Sequence, residues 1–139
     1  MTRRNFLEAG AALAGMAAVS SCRLGLSKEG MVLDVTAFTA LRRFAETPSG
    51  RIAYVERGSG QAALFLHGLP LNGFHWRGSL ERLSPYRRCI APDFMGLGYT
   101  ESSAQQDLSP QAQTDMLIAF LDGLAIPSVD LVANDSGGT

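Results

Sequence analysis

The chain has 139 residues, of which 46% are hydrophobic and 18% are charged. This balance is typical of a single globular domain and excludes a disordered chain. A formal net charge of −1 gives no indication of a nucleic-acid partner, and two cysteines, Cys22 and Cys89, are too few for a zinc cluster. No run reaches the roughly 18–20 apolar residues that a membrane-spanning helix requires.

The N-terminal stretch predicts an export address rather than part of the fold. Arg3-Arg4 and then Phe6-Leu7 precede an apolar run from Ala9 to Val19. A charged segment followed by a short apolar run is typical of a signal peptide, and the paired arginines resemble the twin-arginine kind. The run ends in Val19-Ser20-Ser21-Cys22, which resembles a bacterial lipobox, in which the cysteine is lipidated.

We therefore divide the chain into a signal segment over residues 1–22, a linker over 23–36 and a domain over 37–139. The predicted location is outside the bacterial cytoplasm, either in the periplasm or on the membrane through a lipid at Cys22. Two alternatives stay open. Translation that starts at Met31 would give a cytoplasmic protein, and the N-terminus could also be an ordinary amphipathic helix.

A pair of strands is predicted at the start of the domain. Phe38 to Glu46 has a strand pattern, residues 47–50 form a turn signal, and Arg51 to Arg57 again has a strand pattern. Two strands joined by so short a turn indicate an antiparallel hairpin. The apolar run from Ala62 to Leu66 predicts a third strand, buried on both faces.

Helices and strands then alternate. Phe74 to Leu83 predicts a helix, Arg88 to Ala91 a strand, and Val129 to Ala133 a last strand. Between these strands, Ser109 is a helix cap with Pro110 at the first helical position, and apolar residues recur at helical spacing up to Leu124. This order predicts a mainly parallel sheet with helices on both faces.

Ligands of such sheets bind beyond the carboxyl ends of the strands, and three short motifs lie in the loops that leave those ends. The motifs are Leu66-His67-Gly68-Leu69-Pro70, the stretch Asp93 to Thr100 (DFMGLGYT), and Leu131 to Gly138 (LVANDSGG). In this order they resemble the α/β-hydrolase family, whose nucleophile lies on a strained strand-to-helix turn between small residues.

The resemblance covers residues 38–139 and implies an α/β fold class. We expect a partial α/β-hydrolase sheet, with an antiparallel hairpin followed by parallel strands and flanking helices, and with the C-terminal half absent.

The register of the last motif selects the nucleophile. With Asp135 as the nucleophile, the small positions of the turn are Ala133 and Gly137. With Ser136 instead, they would be Asn134 and Gly138, and asparagine fits poorly where two backbones approach closely. We therefore predict Asp135 as the nucleophile and keep Ser136 as the alternative, together with a purely structural turn.

An aspartate nucleophile implies a particular chemistry. Its carboxylate is ionised at neutral pH without a base, and a helix N-terminus further favours the anion. It would attack a saturated carbon that carries a halide or an epoxide oxygen, and a histidine-activated water would hydrolyse the resulting ester. The resemblance implies an oxyanion hole made by the backbone N–H groups of Leu69 and Ser136. We expect a small-molecule substrate, no cofactor and no metal.

Two residues depart from the pattern of this aspartate branch, which comprises haloalkane dehalogenases and epoxide hydrolases. Ser136 stands where these enzymes commonly have tryptophan, and Leu69 stands where many dehalogenases have asparagine as a halide donor. These departures weaken the prediction of dehalogenase activity in particular. The His-Gly-x-Pro pattern that ends at Pro70 resembles epoxide hydrolases as much as dehalogenases.

The catalytic histidine and acid of the family follow the nucleophile in the chain. Here the only histidines are His67 and His75, and both precede it. We expect a structural role for His67 and a position for His75 on the exposed or half-buried face of the first helix, and we expect this chain to be inactive alone. Three functions stay open: an aspartate-nucleophile hydrolase, a serine esterase that uses Ser136, and a truncated non-catalytic fragment.

Three other residues have structural interpretations. Cys89 is predicted to be a small buried hydrophobe, and Trp76 is predicted to pack the first helix on the sheet. Asp93 is expected to order its loop.

Overall fold

A computed structural model describes residues 33–138 of the chain. The predictions made for the signal segment, the lipobox at Cys22, the alternative start at Met31 and most of the linker lie outside these residues. Within residues 33–138, no helix is both long enough and apolar enough to span a bilayer.

Residues 33–138 contain five strands and three α-helices. The strands are β1 (Arg42–Thr47), β2 (Gly50–Arg57), β3 (Ala62–Leu66), β4 (Arg88–Pro92) and β5 (Asp130–Ala133). The helices are α1 (Val35–Ala40), α2 (Arg77–Leu83) and α3 (Pro110–Gly123), with short 3₁₀ turns at Gly73–Trp76 and Asp135–Gly138. Their order along the chain is α1-β1-β2-β3-α2-β4-α3-β5.

The strands form one sheet in the order β1-β2-β4-β3-β5. β1 pairs with β2, and β2 with β4, in antiparallel fashion, whereas β3 pairs in parallel with both β4 and β5. The predicted hairpin followed by parallel strands is therefore confirmed. Because the chain moves from β3 to β4 on one side and then returns to β5 on the other, the strand order reverses at β3. A crevice at the carboxyl ends is expected at such a reversal.

Helices cover both faces of the sheet, as predicted. On one face, Phe38 of α1 and Leu80 of α2 pack with Phe65 and Cys89 in one buried cluster. On the other face, α3 contributes two fully buried side chains to a second cluster, Met116 and Phe120. All five residues of β3 are buried, as expected for a central strand that is covered on both sides.

The strand predicted from Phe38 to Glu46 is wrong over its first part, which belongs to the helix α1. The side chain of Asp34 caps this helix by accepting a hydrogen bond from the backbone N–H of Ala37. Phe38 is then buried, with its ring edge-on to that of Phe74 at a centroid distance of 5.2 Å. This tertiary contact outweighs the weak strand pattern. The last two residues of the predicted linker, Val35 and Thr36, form the first turn of α1.

Candidate active site

The chain makes a sharp turn directly after β5. Asp135 begins this turn with a φ of 53°, in the left-handed region that few residues other than glycine adopt. Holding a residue there costs on the order of 1 kcal/mol or more, and such conformations concentrate at functional sites. The turn leaves Asp135 exposed at the carboxyl edge of the sheet.

The closest approach between this turn and the sheet falls at Gly137. A methyl group on Gly137 would lie 2.7 Å from the carbonyl oxygen of His67 and 2.8 Å from that of Leu66. Gly138 is exposed, and a methyl group there would meet only Cβ of Ala133, at an ordinary 3.7 Å. The small residue that the turn requires is therefore Gly137.

The loop after β3 meets this turn. A methyl group on Gly68 would lie 2.8 Å from Oδ2 of Asp135, so the carboxylate lies against the Gly68 backbone. The backbone N–H of Leu69 donates a hydrogen bond of 3.0 Å to Oγ of Ser136. The fold thus brings together the three predicted site residues, Asp135, Ser136 and Leu69. The sequence did not predict this hydrogen bond, because the interpretation of the motifs assigned the Leu69 N–H to the oxyanion hole.

His67 is fully buried, and both of its ring nitrogens contact backbone groups. The N–H of Phe94 can only donate, so Nε2 accepts from it at 3.1 Å. Nδ1 must then carry the proton, which it donates to the carbonyl oxygen of Gly68 at 3.0 Å. Burial lowers the pKa of His67, which favours this neutral form. His67 therefore links the loops after β3 and β4, as its predicted structural role requires, and has no nitrogen available as a base.

His75 lies on the surface beside the same turn. Its Nε2 is 3.5 Å from Nδ2 of Asn134, the residue before Asp135, and its ring is edge-on to Trp76 at 4.9 Å. The exposed position agrees with the prediction, but the neighbourhood of Asn134 was missed. His75 and Asn134 follow the carboxyl ends of adjacent strands, and this placement in the sequence could have predicted that they lie close together.

Asp93 holds the loop after β4 in place. Its carboxylate is buried and accepts hydrogen bonds from the N–H of Gly73 at 2.7 Å and from that of Tyr99 at 2.8 Å. Its backbone oxygen accepts from the hydroxyl of Thr100 at 2.7 Å. Asp93 therefore orders its own loop and ties it to the 3₁₀ turn that precedes α2, as expected.

An apolar groove of about 680 Å³ runs between α3 and the sheet. Its walls include Leu131 of β5 and Ile118 of α3, which are 60% and 55% exposed. Leu69 and Ser136 lie along it, whereas Asp135 does not contribute to its lining. The groove therefore adjoins the turn that carries Asp135.

Potential metal ligands are dispersed in the part of the chain that the structure describes. No three side chains of histidine, cysteine, aspartate or glutamate come together there. The two carboxylates at the carboxyl edge have different surroundings, since Asp93 is buried among backbone donors and Asp135 is exposed.

Comparison with known proteins supplies the family. A sequence model described as the alpha/beta hydrolase family matches residues 63–139. A haloalkane dehalogenase of Mesorhizobium japonicum is 43% identical over 89 residues, which are 62% of this chain and 28% of that enzyme. An epoxide hydrolase of Caballeronia sordidicola is 41% identical over 86 residues, which are 60% of this chain and 26% of that enzyme.

Solved structures agree with the sequence relatives. The crystal structure of an epoxide hydrolase from Vigna radiata superposes with a TM-score of 0.66 at 33% identity, over 69% of this chain and 32% of that one. The chain thus spans about a third or less of the length of these relatives. The predicted resemblance to dehalogenases and epoxide hydrolases is confirmed.

Proposed function

The chain belongs to the α/β-hydrolase family, and we propose that it acts as a hydrolase in which Asp135 forms a covalent ester with the substrate. The observation that carries this proposal is the position of the close approach. It falls at Gly137, two residues after Asp135, whereas Gly138 has room for a side chain. This spacing supports Asp135 rather than Ser136 at the centre of the turn.

The first half-reaction is a displacement at a saturated carbon. A carboxylate oxygen of Asp135 forms a bond to that carbon while the carbon–halogen or carbon–oxygen bond breaks. The electron pair of the broken bond goes to the halide, which departs, or to the epoxide oxygen, which stays on the neighbouring carbon and takes a proton from water. This step needs no general base, because a carboxylate oxygen attacks without losing a proton. The product is an alkyl ester on Asp135.

The second half-reaction releases the product. Water adds to the carbonyl carbon of the ester and gives its proton to a base. The tetrahedral oxyanion then collapses, the bond from the carbonyl carbon to the alkyl oxygen breaks, and that oxygen takes the proton back from the base and leaves as the alcohol, which regenerates the carboxyl group of Asp135. His67 is not suited to be this base, because both of its nitrogens are bound to backbone groups. The chain has no other histidine near the turn than the exposed His75, so we propose that the base is a histidine of the full-length protein that is not among these 139 residues, in keeping with the order of the family.

The substrate class follows the named relatives, a haloalkane dehalogenase and an epoxide hydrolase. The side chain of Leu69 has no hydrogen-bond donor, and Ser136 has a single hydroxyl. These residues support a departing halide less well than the asparagine and tryptophan of the dehalogenase pattern would. We therefore expect turnover of an epoxide to exceed that of a haloalkane.

Covalent labelling tests the nucleophile. The full-length protein is mixed with a terminal epoxide or a primary bromoalkane, quenched rapidly, and digested for mass spectrometry of the peptide that contains residue 135. We expect an alkyl adduct on Asp135 and, after one turnover in heavy-oxygen water, the label in its carboxylate. Asp135→Asn should show no adduct, while the neighbouring Ser136→Ala should keep it. An acyl adduct on Ser136, formed from a carboxylic ester, would establish the serine esterase instead.

We also propose that the protein is exported and tethered through a lipid on Cys22. Support comes from the paired arginines, the short apolar run and the cysteine that ends it. Labelling with a fatty-acid analogue and fractionation of membranes should show a lipidated protein in the wild type and none in Cys22→Ser. Cys89→Ser is the matched control and should stay lipidated. An unlabelled cytoplasmic wild type would favour the start at Met31.

A further inference from the structure

The hydroxyl of Ser136 accepts a hydrogen bond from a backbone N–H group that the proposed chemistry needs. The N–H of Leu69 carries one hydrogen, and it donates that hydrogen to Oγ of Ser136 at 3.0 Å. In the proposed function, which this inference takes as its basis, the same N–H stabilises the oxyanion of the second half-reaction. The side chain of Ser136 and the oxyanion therefore compete for one donor.

The two half-reactions place opposite demands on this donor. During ester formation the negative charge on Asp135 decreases, so a hydrogen bond to its carboxylate stabilises the starting state and slows the attack. During ester hydrolysis negative charge develops on the carbonyl oxygen, so the same hydrogen bond lowers the barrier. Both half-reactions are therefore favoured if the Leu69 N–H does not bind the Asp135 carboxylate during ester formation and does bind the oxyanion during hydrolysis.

The carboxylate of Asp135 is a second candidate acceptor for the N–H of Leu69. It lies against Gly68, the residue directly before Leu69. When the hydroxyl of Ser136 is removed, we expect this neighbouring carboxylate to become the alternative acceptor for the N–H of Leu69. An anionic acceptor forms a stronger hydrogen bond than a neutral hydroxyl, so the N–H is expected to turn to it.

We propose that Ser136 is a positioning residue that keeps the Leu69 N–H away from the Asp135 carboxylate during ester formation and releases it to the oxyanion during hydrolysis. The exchange is possible because the hydroxyl is a neutral acceptor on a half-buried side chain, and Leu69 is 60% exposed. The oxyanion displaces the hydroxyl once its charge has formed. In the resting enzyme the hydroxyl retains the donor.

Removal of the hydroxyl should change the two half-reactions in opposite directions. A single neutral hydrogen bond corresponds to a factor of roughly 2–10 in rate. In Ser136→Ala we therefore expect ester formation to slow by a factor in that range, because the N–H now stabilises the carboxylate. We expect ester hydrolysis to speed up by a similar factor, because no hydroxyl has to be displaced. Ser136→Thr keeps a hydroxyl acceptor, so we expect the ratio of the two rates to shift less in Ser136→Thr than in Ser136→Ala.

Rapid quenching of the full-length protein with a terminal epoxide measures both rates, through the rise and decay of the adduct on Asp135. A purely structural role for Ser136 would slow both steps together, and that result, like unchanged rates, overturns the inference. Should Ser136→Ala not fold, Ser136→Cys offers a weaker acceptor, and smaller shifts in the same opposite directions are expected. A wild type that forms no adduct on Asp135 would instead refute the proposed function itself.

Discussion

The carboxylate of Asp135 lies directly over the backbone of Gly68. A methyl group on Gly68 would stand 2.7 Å from Cβ and 2.8 Å from Oδ2 of Asp135. These distances are shorter than real Cβ contacts allow, so the two residues can occupy their places only if residue 68 has no side chain. The loop after β3 and the turn after β5 therefore pack so closely that residue 68 has no room for a Cβ atom.

Gly68→Ala should reduce activity far more than stability. The added methyl group would push the exposed side chain of Asp135 aside, and a misplacement of about 1 Å at a reacting group can cost about 100-fold in rate. Steady-state kinetics and thermal unfolding of the full-length protein would measure both effects. Gly123→Ala is the control, because its nearest neighbour is a carbonyl oxygen at 4.0 Å and no loss of activity is expected. Equal activity of the two variants would contradict the proposed site.

Gly137→Ala and Gly138→Ala form a matched pair that tests the register of the turn. At Gly137 the methyl group would collide with two carbonyl oxygens of the backbone, which cannot move aside like a flexible side chain. We expect a loss of about 1–3 kcal/mol in the free energy of unfolding there. Gly138→Ala should be tolerated, since it makes only an ordinary contact. The opposite ranking in denaturant unfolding would favour Ser136 as the centre of the turn.

Asp93→Asn should destabilise the protein by about 1–3 kcal/mol. The carboxylate accepts from two backbone N–H groups, those of Gly73 and Tyr99. An asparagine can accept only with its oxygen, so its NH₂ group would face one of these donors. Urea unfolding measures the effect, with the exposed Asp115→Asn as the control. A variant as stable as the wild type would show that the loop does not depend on these two bonds.

The buried His67 predicts a loss of stability on acidification. Burial holds its pKa in the folded protein below the ordinary value of 6.5. As the pH falls below 6.5, the unfolded chain therefore binds a proton that the folded protein still excludes. The contribution of His67 to stability is full above that pH and declines until the folded-state imidazole also protonates.

Unfolding measured as a function of pH should reveal this decline in the wild type and in the exposed variant His75→Gln. In His67→Gln this component should be absent. Nitrogen chemical shifts of His67 at neutral pH should report a proton on Nδ1 and none on Nε2. A proton on Nε2 would contradict the hydrogen bond from Phe94.

Local patterns predicted most of the fold. The cap at Ser109 and the apolar spacing up to Leu124 predicted α3, and the continuous apolar run predicted β3 at the bounds observed. These signals depend on residues that are close in the chain, so the sequence alone contains them. The parallel share of the sheet was overestimated. β2 pairs antiparallel with β4, and among the described residues the parallel pairs are only those that β3 makes.

Contacts between distant segments could not be predicted in the same way. The helix α1 depends on Phe38 packing against Phe74. The hydrogen bond between Leu69 and Ser136 joins residues 67 positions apart. The motifs indicated which loops would meet, but the choice of acceptor for the Leu69 N–H depends on a side-chain orientation that only the folded turn defines.

Cys89 offers a chemical reporter that the protein already contains. The thiol is fully buried in β4, and burial raises its pKa, so a labelling reagent should not react with it while the sheet is closed. With Cys22 replaced by serine, Cys89 is the only cysteine in the chain. The rate of its alkylation then counts the transient openings of the strands around it. The lifetime of the closed sheet can thus be followed without an engineered probe.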